Sequence, residues 1–298
     1  MRHFLLLSTL LLACLLTYPL QAKVLHKERS LYSTIVVSQS GNILCLQFSV
    51  RRDQRNQSCK DLNKPKRMVF AYTRMTMASL LFTPEPSRVL VVGLGGGTLP
   101  EAFSQLFPDV EIDVLEIDPA VTRVAKDFFD YQPTPTTRVF GQDARVWTKR
   151  AQRKGEKYDL IILDAFNGEY IPEHLMTREY LEETKALLAP EGTLVANTFS
   201  ISSLYGHESA TYQAVFGDFI NFQVPESANR VVIVPGTQVD DATLRSRAEA
   251  LRTKLKPYDV PLKRYTRTII DARNKGPDWD ANARVLTDQY APANLLNQ

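Results

Sequence analysis

Val89–Asp118 opens V-L-V-V-G-L-G-G-G-T-L-P-E-A-F and closes L-E-I-D. The apolar run Val89 to Val92 breaks at Gly93, Gly95, Gly96 and Gly97. A helical pattern follows, and a second apolar run ends in Glu116 and Asp118. Glycine carries no Cβ, so the chain can turn tightly there and a ligand can approach the backbone. An acidic residue at the tip of the next strand can accept hydrogen bonds from ribose hydroxyls. The segment therefore predicts a nucleoside-containing ligand at the carboxyl end of a parallel sheet, with Gly93, Gly95, Gly97, Glu116 and Asp118 as its cradle. Gly93-x-Gly95-x-Gly97 lacks the third-glycine spacing of the dinucleotide fingerprint, so a plain strand-to-helix turn also accounts for the loop alone.

Working outward from this loop, strand and helix patterns alternate from Arg88 onward. Strands are predicted at 88–93, 111–116, 137–141, 158–163 and 192–198, with helices at 98–106, 119–129, 143–153 and 174–188. Such alternation predicts a parallel sheet with helices on both faces. Phe216 to Val224 and Arg230 to Val234 are β-like runs joined only by Pro225-Glu-Ser-Ala-Asn229. A connection that short cannot carry a crossover helix, so these two strands are antiparallel. A parallel sheet ending in an antiparallel hairpin is the Rossmann-like arrangement of the class I S-adenosylmethionine-dependent methyltransferase fold, whereas a nicotinamide-binding domain is parallel throughout.

The chain has 298 residues, enough for one large α/β domain with a small appendage. Its net charge of +3 is too small to argue for nucleic-acid or membrane partners. Arg2 and His3 precede the apolar stretch Phe4 to Leu16, which ends in Thr17-Tyr-Pro-Leu-Gln-Ala22. That pattern predicts a cleaved secretory signal at 1–22, hence export to the periplasm. The alternatives are an uncleaved anchor, and lipidation at Cys14 in Leu11-Leu-Ala-Cys14. Removal of the signal leaves Cys45 and Cys59, which an oxidising compartment would allow to pair. Closing a loop of about 15 residues would add about 3 kcal/mol; two unrelated buried thiols are the alternative. The histidines His3, His26, His174 and His207 are scattered without ligand spacing, and no metal is expected.

Gly41-Asn42 separates two β-rich runs within 24–50 and predicts a hairpin turn. Arg51 to Arg67 is polar and basic and is expected to be a solvated loop. Met68 to Phe82 is expected to be helical, ended by Pro84 and Pro86. The organisation predicted is a small N-terminal β domain at 23–67 and a Rossmann-like domain at 68–298. Repeats and low-complexity tracts are absent from the sequence.

Three carboxylates end successive strands: Glu116, then Asp143 in Gly141-Gln-Asp-Ala-Arg145, then Asp164 in Leu160-Ile-Ile-Leu-Asp164. Ligands bind at that edge of open α/β sheets. Asp is also a favoured helix N-cap, an equally good account of Asp143 and of Asp118, which precedes Pro119. Asp164 is followed by the loop-like Ala165-Phe-Asn-Gly-Glu-Tyr-Ile-Pro172, so a cap explains it less well.

In this order, Val91–Glu101, Glu116-Ile-Asp118, Gly141–Arg145 and Asp164–Pro172 resemble the polyamine aminopropyltransferase (spermidine synthase) family. Leu286-Thr-Asp-Gln-Tyr-Ala-Pro292 is similar to a segment of its bacterial members. The resemblance implies aminopropyl transfer from decarboxylated S-adenosylmethionine to a diamine, leaving methylthioadenosine, and often a homodimer. It assigns Asp164 as the proton acceptor, Glu116 to the ribose hydroxyls, Asp143 and Ala144 to adenine and Pro172 to the nucleoside pocket. Tyr72 and Asn167 fall at substrate-binding positions. The attacking amine has a pKa near about 10 and is protonated at neutral pH; a carboxylate placed beside it binds the cation and takes its proton.

The sequence also departs from that family. Gly95 stands where the family loop carries an aspartate for the aminopropyl amine, Asn167 replaces the second aspartate of D-x-x-D, and Y-H-E-M becomes Tyr72-Thr-Arg74-Met75. Arg74 is expected to add positive charge near the acceptor, while Glu169 and Glu173 are candidates to restore negative charge. Two alternatives follow: a methyltransferase using S-adenosylmethionine itself, and a non-catalytic nucleoside- or polyamine-binding module.

Overall fold

The structure is a computed structural model that describes residues 22–50, 53–166, 170–201, 203–280 and 282–290. Residues 1–21 of the predicted signal, Cys14 among them, and Asn167, Glu169 and Pro292 lie outside these residues.

The first sheet is antiparallel, in the order β1 (Lys23–Arg29), β2 (Thr34–Ser40), β3 (Ile43–Val50) and β4 (Asp53–Asp61). Gly41, at φ 58°, turns β2 into β3. Strand β4 corrects the expectation of a solvated loop over 51–67. Its polar side chains find partners: Lys60 Nζ donates to Phe129 O at 2.7 Å, and Asp61 pairs with Arg67 at 3.1 Å. Cys45 and Cys59 lie opposite each other on β3 and β4 and form a disulfide.

The helix expected over 68–82 is shorter, α1 (Ala71–Thr76), and runs into a 3₁₀ turn at Met77–Leu81. The second sheet then follows the predicted alternation: β5 (Arg88–Val92), α2 (Thr98–Leu106), β6 (Glu111–Leu115), α3 (Pro119–Phe129), β7 (Thr137–Phe140), α4 (Ala144–Arg153) and β8 (Tyr158–Leu163). The helix expected at 174–188 is instead a 3₁₀ turn at Glu173–Leu175 followed by α5 (Arg178–Lys185), because Thr177 caps the new start by accepting from Tyr180 N–H. Strand β9 (Leu188–Phe199) is longer than expected; α6 (Tyr205–Phe216), β10 (Ile220–Gln223) and β11 (Asn229–Val234) complete the sheet. Helices α7 (Asp241–Leu255) and α8 (Leu262–Lys275), unassigned from sequence, close one face.

The sheet order is β10-β11-β9-β8-β5-β6-β7. The pairings from β9 to β7 are parallel, and β11 joins β9 and β10 antiparallel, so the fold expected from the short 225–229 connection is the one observed. Alternation along the strands builds two cores. Val89, Val91, Ile112, Val114, Leu160 and Ile162 face α2, α7 and α8, while Leu90, Val92, Ile161, Leu163 and Leu194 face α4, α5 and α6. Ile35, Val37, Leu44 and Leu46 of the first sheet bury themselves against Val121, Val124 and Phe129 of α3. That contact seats the small sheet over the carboxyl edge of the large one. Among the described residues no helix is long and apolar enough to cross a membrane.

Candidate active site

The chain leaves β5 toward β6 on one side and returns through β8 on the other, so a crevice opens at the carboxyl ends of β5 and β8. Gly93 ends β5 with φ 101°; a Cβ there would stand 2.2 Å from Asp164 O. The glycine thus lets two strand ends close together, with Asp164 N donating to Val92 O at 2.8 Å. Gly97 opens α2 at φ 82° against the Tyr131 ring. Gly95, at φ 53°, is looser: its Cβ would meet only the Ser58 side chain, at 3.5 Å from Cβ and 3.8 Å from Oγ.

A cavity of about 260 Å³ fills the crevice. Gly93, Gly95, Glu116, Asp118, Asp143, Ala144, Asp164, Pro172 and Tyr72 all line it; of the described residues nominated from sequence, Gly97, Arg74 and Glu173 do not. Gly97 lies behind the cavity, buried against Tyr131, and shapes the loop without facing a ligand.

Glu116 is clamped by the loop it faces. Its carboxylate accepts from Leu94 N–H at 3.1 Å and Asp118 N–H at 3.0 Å, and from Gly95 N–H. Burial outweighs these donors and pushes its pKa up to about 7. Asp118 and Asp143 are both N-caps, accepting from Ala120 N–H and Val146 N–H at 2.9 Å each. Asp118 lines the cavity, and its Oδ2 is buried without a hydrogen-bond partner among the described residues. The second oxygen of Asp143 meets His174 Nε2 at 2.9 Å. Both Asp143 oxygens are therefore engaged within the protein, and adenine would have to share them.

Asp164 is held from two sides. Asn197 Nδ2 donates to Asp164 Oδ1 at 2.9 Å, and the Tyr72 hydroxyl donates to the same carboxylate. Burial raises the carboxyl to about 7, while Asn197 and Tyr72 act in the opposite direction by stabilising the ionised form. Burial and the Asp164 charge drive the Tyr72 phenol well above its usual range, so it remains a donor. Arg74 does not bring its charge to the cavity: its guanidinium donates to Met68 O and Val69 O at 2.6 and 3.1 Å. These two backbone carbonyls, just ahead of α1, hold the guanidinium away from the amine site. Glu173 opens the 3₁₀ turn and does not line the cavity.

Four contributors were not nominated from sequence. Gln57 and Ser58 of β4 wall the cavity, and Ser58 packs on the glycine loop. His174 lines it beside Asp143. Asn197 is a polar residue in the buried run Leu194–Thr198, at the carboxyl end of its strand; that placement was the available signal. A second cavity of about 230 Å³ adjoins the first and shares Gln57, Tyr72 and Phe166 with it. Asn197, Phe199, Glu226 and Asn229 also line it. Among the described residues no three His, Cys, Asp or Glu side chains gather to hold a metal ion.

Comparison with known proteins identifies the family. The spermine/spermidine synthase domain matches residues 69–239. The polyamine aminopropyltransferase of Vibrio vulnificus is 49% identical over 292 residues, spanning 96% of this chain and 96% of that protein. A probable spermidine synthase from Corynebacterium glutamicum shares the fold with a TM-score of 0.66 at 21% identity, over 88% of this chain and 96% of that one. Human Methyltransferase-like protein 13, solved in complex with SAH, shares it with a TM-score of 0.53 at 22% identity, over 71% of this chain and 94% of that one. From the 69–239 match and the full-length relative, the chain belongs to the spermine/spermidine synthase family.

Proposed function

We propose that this protein transfers the aminopropyl group of decarboxylated S-adenosylmethionine to a diamine, with Asp164 as the proton acceptor. The observation that carries the reading is Asp164 itself. It is a carboxylate at the strand edge, held by Tyr72 and Asn197, raised to about 7 and facing the cavity. A group with that pKa is substantially ionised at neutral pH, yet basic enough to take a proton.

In the proposed step the amine nitrogen attacks the aminopropyl carbon bonded to the sulfonium. The C–N bond forms, the C–S pair returns to sulfur as methylthioadenosine, and the ammonium proton passes to Asp164. Glu116 has lone pairs beyond those taken by the backbone and would hold the ribose hydroxyls. Ala144, Pro172, Ile117 and Leu175 offer apolar surface to the base. The adjoining cavity would take the diamine, with Phe166, Phe199 and Tyr72 as aromatic walls for a cation.

The test is product formation by the purified protein given decarboxylated S-adenosylmethionine and putrescine. Methylthioadenosine should appear, and Asp164→Asn should abolish it while nucleoside binding by calorimetry survives. Full activity in Asp164→Asn would remove Asp164 from the role. Gly95, which leaves no carboxylate for the aminopropyl amine, favours methyl transfer as the second reading; S-adenosylhomocysteine from S-adenosylmethionine would establish it. Failure to bind either donor or methylthioadenosine would defeat both.

We also propose export. The 1–22 pattern and the Cys45–Cys59 disulfide support it together, since disulfides persist in oxidising compartments. Cell fractionation with thiol labelling tests it: a cytoplasmic protein with both thiols free would refute it.

A further inference from the structure

The hydrogen-bond chain at Asp164 does not stop at Asn197. Asn197 Oδ1 accepts from Asn229 Nδ2 at 3.0 Å. Asn229 begins β11, the antiparallel neighbour of β9, opposite Phe199 and two residues from the partner of Asn197. Its backbone N–H is tied to Ser227 Oγ at 3.1 Å, which fixes the turn that presents it.

The polarity of this chain is determined. An ionised carboxylate only accepts, so Asn197 must turn its NH₂ toward Asp164. Its oxygen then faces Asn229, which must donate. Turning the Asn197 amide over would set oxygen against carboxylate and NH₂ against NH₂, two repulsive contacts replacing two hydrogen bonds. With Asn229 donating, the Asn197 oxygen is satisfied only in the orientation that turns its NH₂ toward Asp164.

We infer that Asn229 is a positioning residue, locking the Asn197 amide in the orientation that donates to ionised Asp164 and so keeping that carboxylate available as a base. The inference rests on the reading of Asp164 given above. The other titratable or charged groups facing the two cavities are Tyr32, Tyr72, Glu116, Asp118, Asp143 and His174 in the first, and Tyr72, Arg55 and Glu226 in the second. Tyr72 is bound to Asp164, Glu116 to backbone N–H groups, Asp143 to His174, and Glu226 is paired with Arg264.

The experiment is the pH dependence of kcat/KM for aminopropyl transfer in wild type, Asn229→Leu, Asn229→Asp, Asn197→Ala and the Asn197→Ala/Asn229→Leu double variant, with Asp164→Asn as control. Losing a donor to the ionised form makes the carboxyl harder to ionise. Asn229→Leu should therefore move the acidic limb to higher pH by roughly 0.5–1 unit, about three- to tenfold in rate below the limb. KM for the diamine should hold, and rates should converge at high pH. Asn229→Asp keeps the shape but cannot donate, and should shift the limb at least as far. Added to Asn197→Ala, Asn229→Leu should shift it no further, because the two act in series.

An unmoved limb in both Asn229 variants, or additive shifts in the double variant, would overturn the inference. So would a raised diamine KM at an unmoved limb, which would make Asn229 an acceptor contact. If Asp164→Asn is inactive while these results hold, only the role of Asn229 fails; if Asp164→Asn stays active, the reading beneath it fails first.

Discussion

Gly93 offers the sharpest test of how the loop builds the site. In Gly93→Ala the new Cβ would stand 2.2 Å from Asp164 O and 2.8 Å from its carbonyl carbon. Ordinary C···O contact needs about 3.4 Å, so the β8 end must retreat by about 1 Å, against a ladder bond of 2.8 Å from Asp164 N to Val92 O. Backbone at φ 101° adds strain of about 1–2 kcal/mol for alanine, and overpacking about 1–3 kcal/mol more. The expected loss of stability is roughly 2–5 kcal/mol. The displaced segment carries Asp164, and a shift of about 1 Å at a reacting group costs on the order of 100-fold in kcat. Gly95→Ala is the internal comparison. It meets Ser58 Cβ only at 3.5 Å and sits in the left-handed basin at φ 53°, so it should lose about 1 kcal/mol and little kcat. Urea denaturation and steady-state kinetics on the two variants decide the matter. If Gly93→Ala behaves like Gly95→Ala in both, the close approach of β5 to β8 does not set the position of Asp164.

Other outcomes follow from burial and charge. With Asp164 near 7, kcat/KM should fall about tenfold per pH unit below neutrality, read from the pH profile. Glu116 and Asp164 are both raised above their unfolded values, so their contribution to stability is whole below about pH 4 and is lost as pH rises through about 7. The ligand-free protein should therefore lose on the order of 2–4 kcal/mol between pH 5 and pH 8 by urea denaturation, a figure reduced for partial solvent access. Cys45→Ala/Cys59→Ala should cost about 3 kcal/mol for a loop separation of 14 residues, measured under oxidising conditions. Arg230 is fully buried and pairs with Glu208 at 3.2 Å. Glu208→Leu should cost about 3–5 kcal/mol by leaving that cation alone, and Glu208→Leu/Arg230→Met should recover much of it in the same melts.

The parallel sheet, its terminal hairpin and the helices at 98–106, 119–129 and 143–153 were legible because each is coded locally. Apolar runs end at Gly93, Glu116 and Asp164, and the 225–229 connection is too short for anything but a reversal. The site carboxylates were legible because strand ends converge on one edge. What escaped was set by distant contacts. Strand β4 has no apolar period, and only its disulfide, its ladder with β3 and its packing on Gly96 make it a wall of the cavity. Arg74 read as a charge near the acceptor, but nearby carbonyls capture it. His174 looked isolated along the chain because its partner, Asp143, lies 31 residues away. The double role of Asp118 and Asp143, capping helices while lining the cavity, was open from sequence and is resolved as both at once.

The two side chains that hold Asp164, Tyr72 and Asn197, also line the adjoining cavity. The walls that would choose the incoming amine are thus the same groups that set the strength of the base. Substrate range and pH optimum are then one property seen through two assays. A variant selected to accept a different amine by remodelling that wall would also acquire a different working pH, and one selected for another pH would drift in the amines it takes.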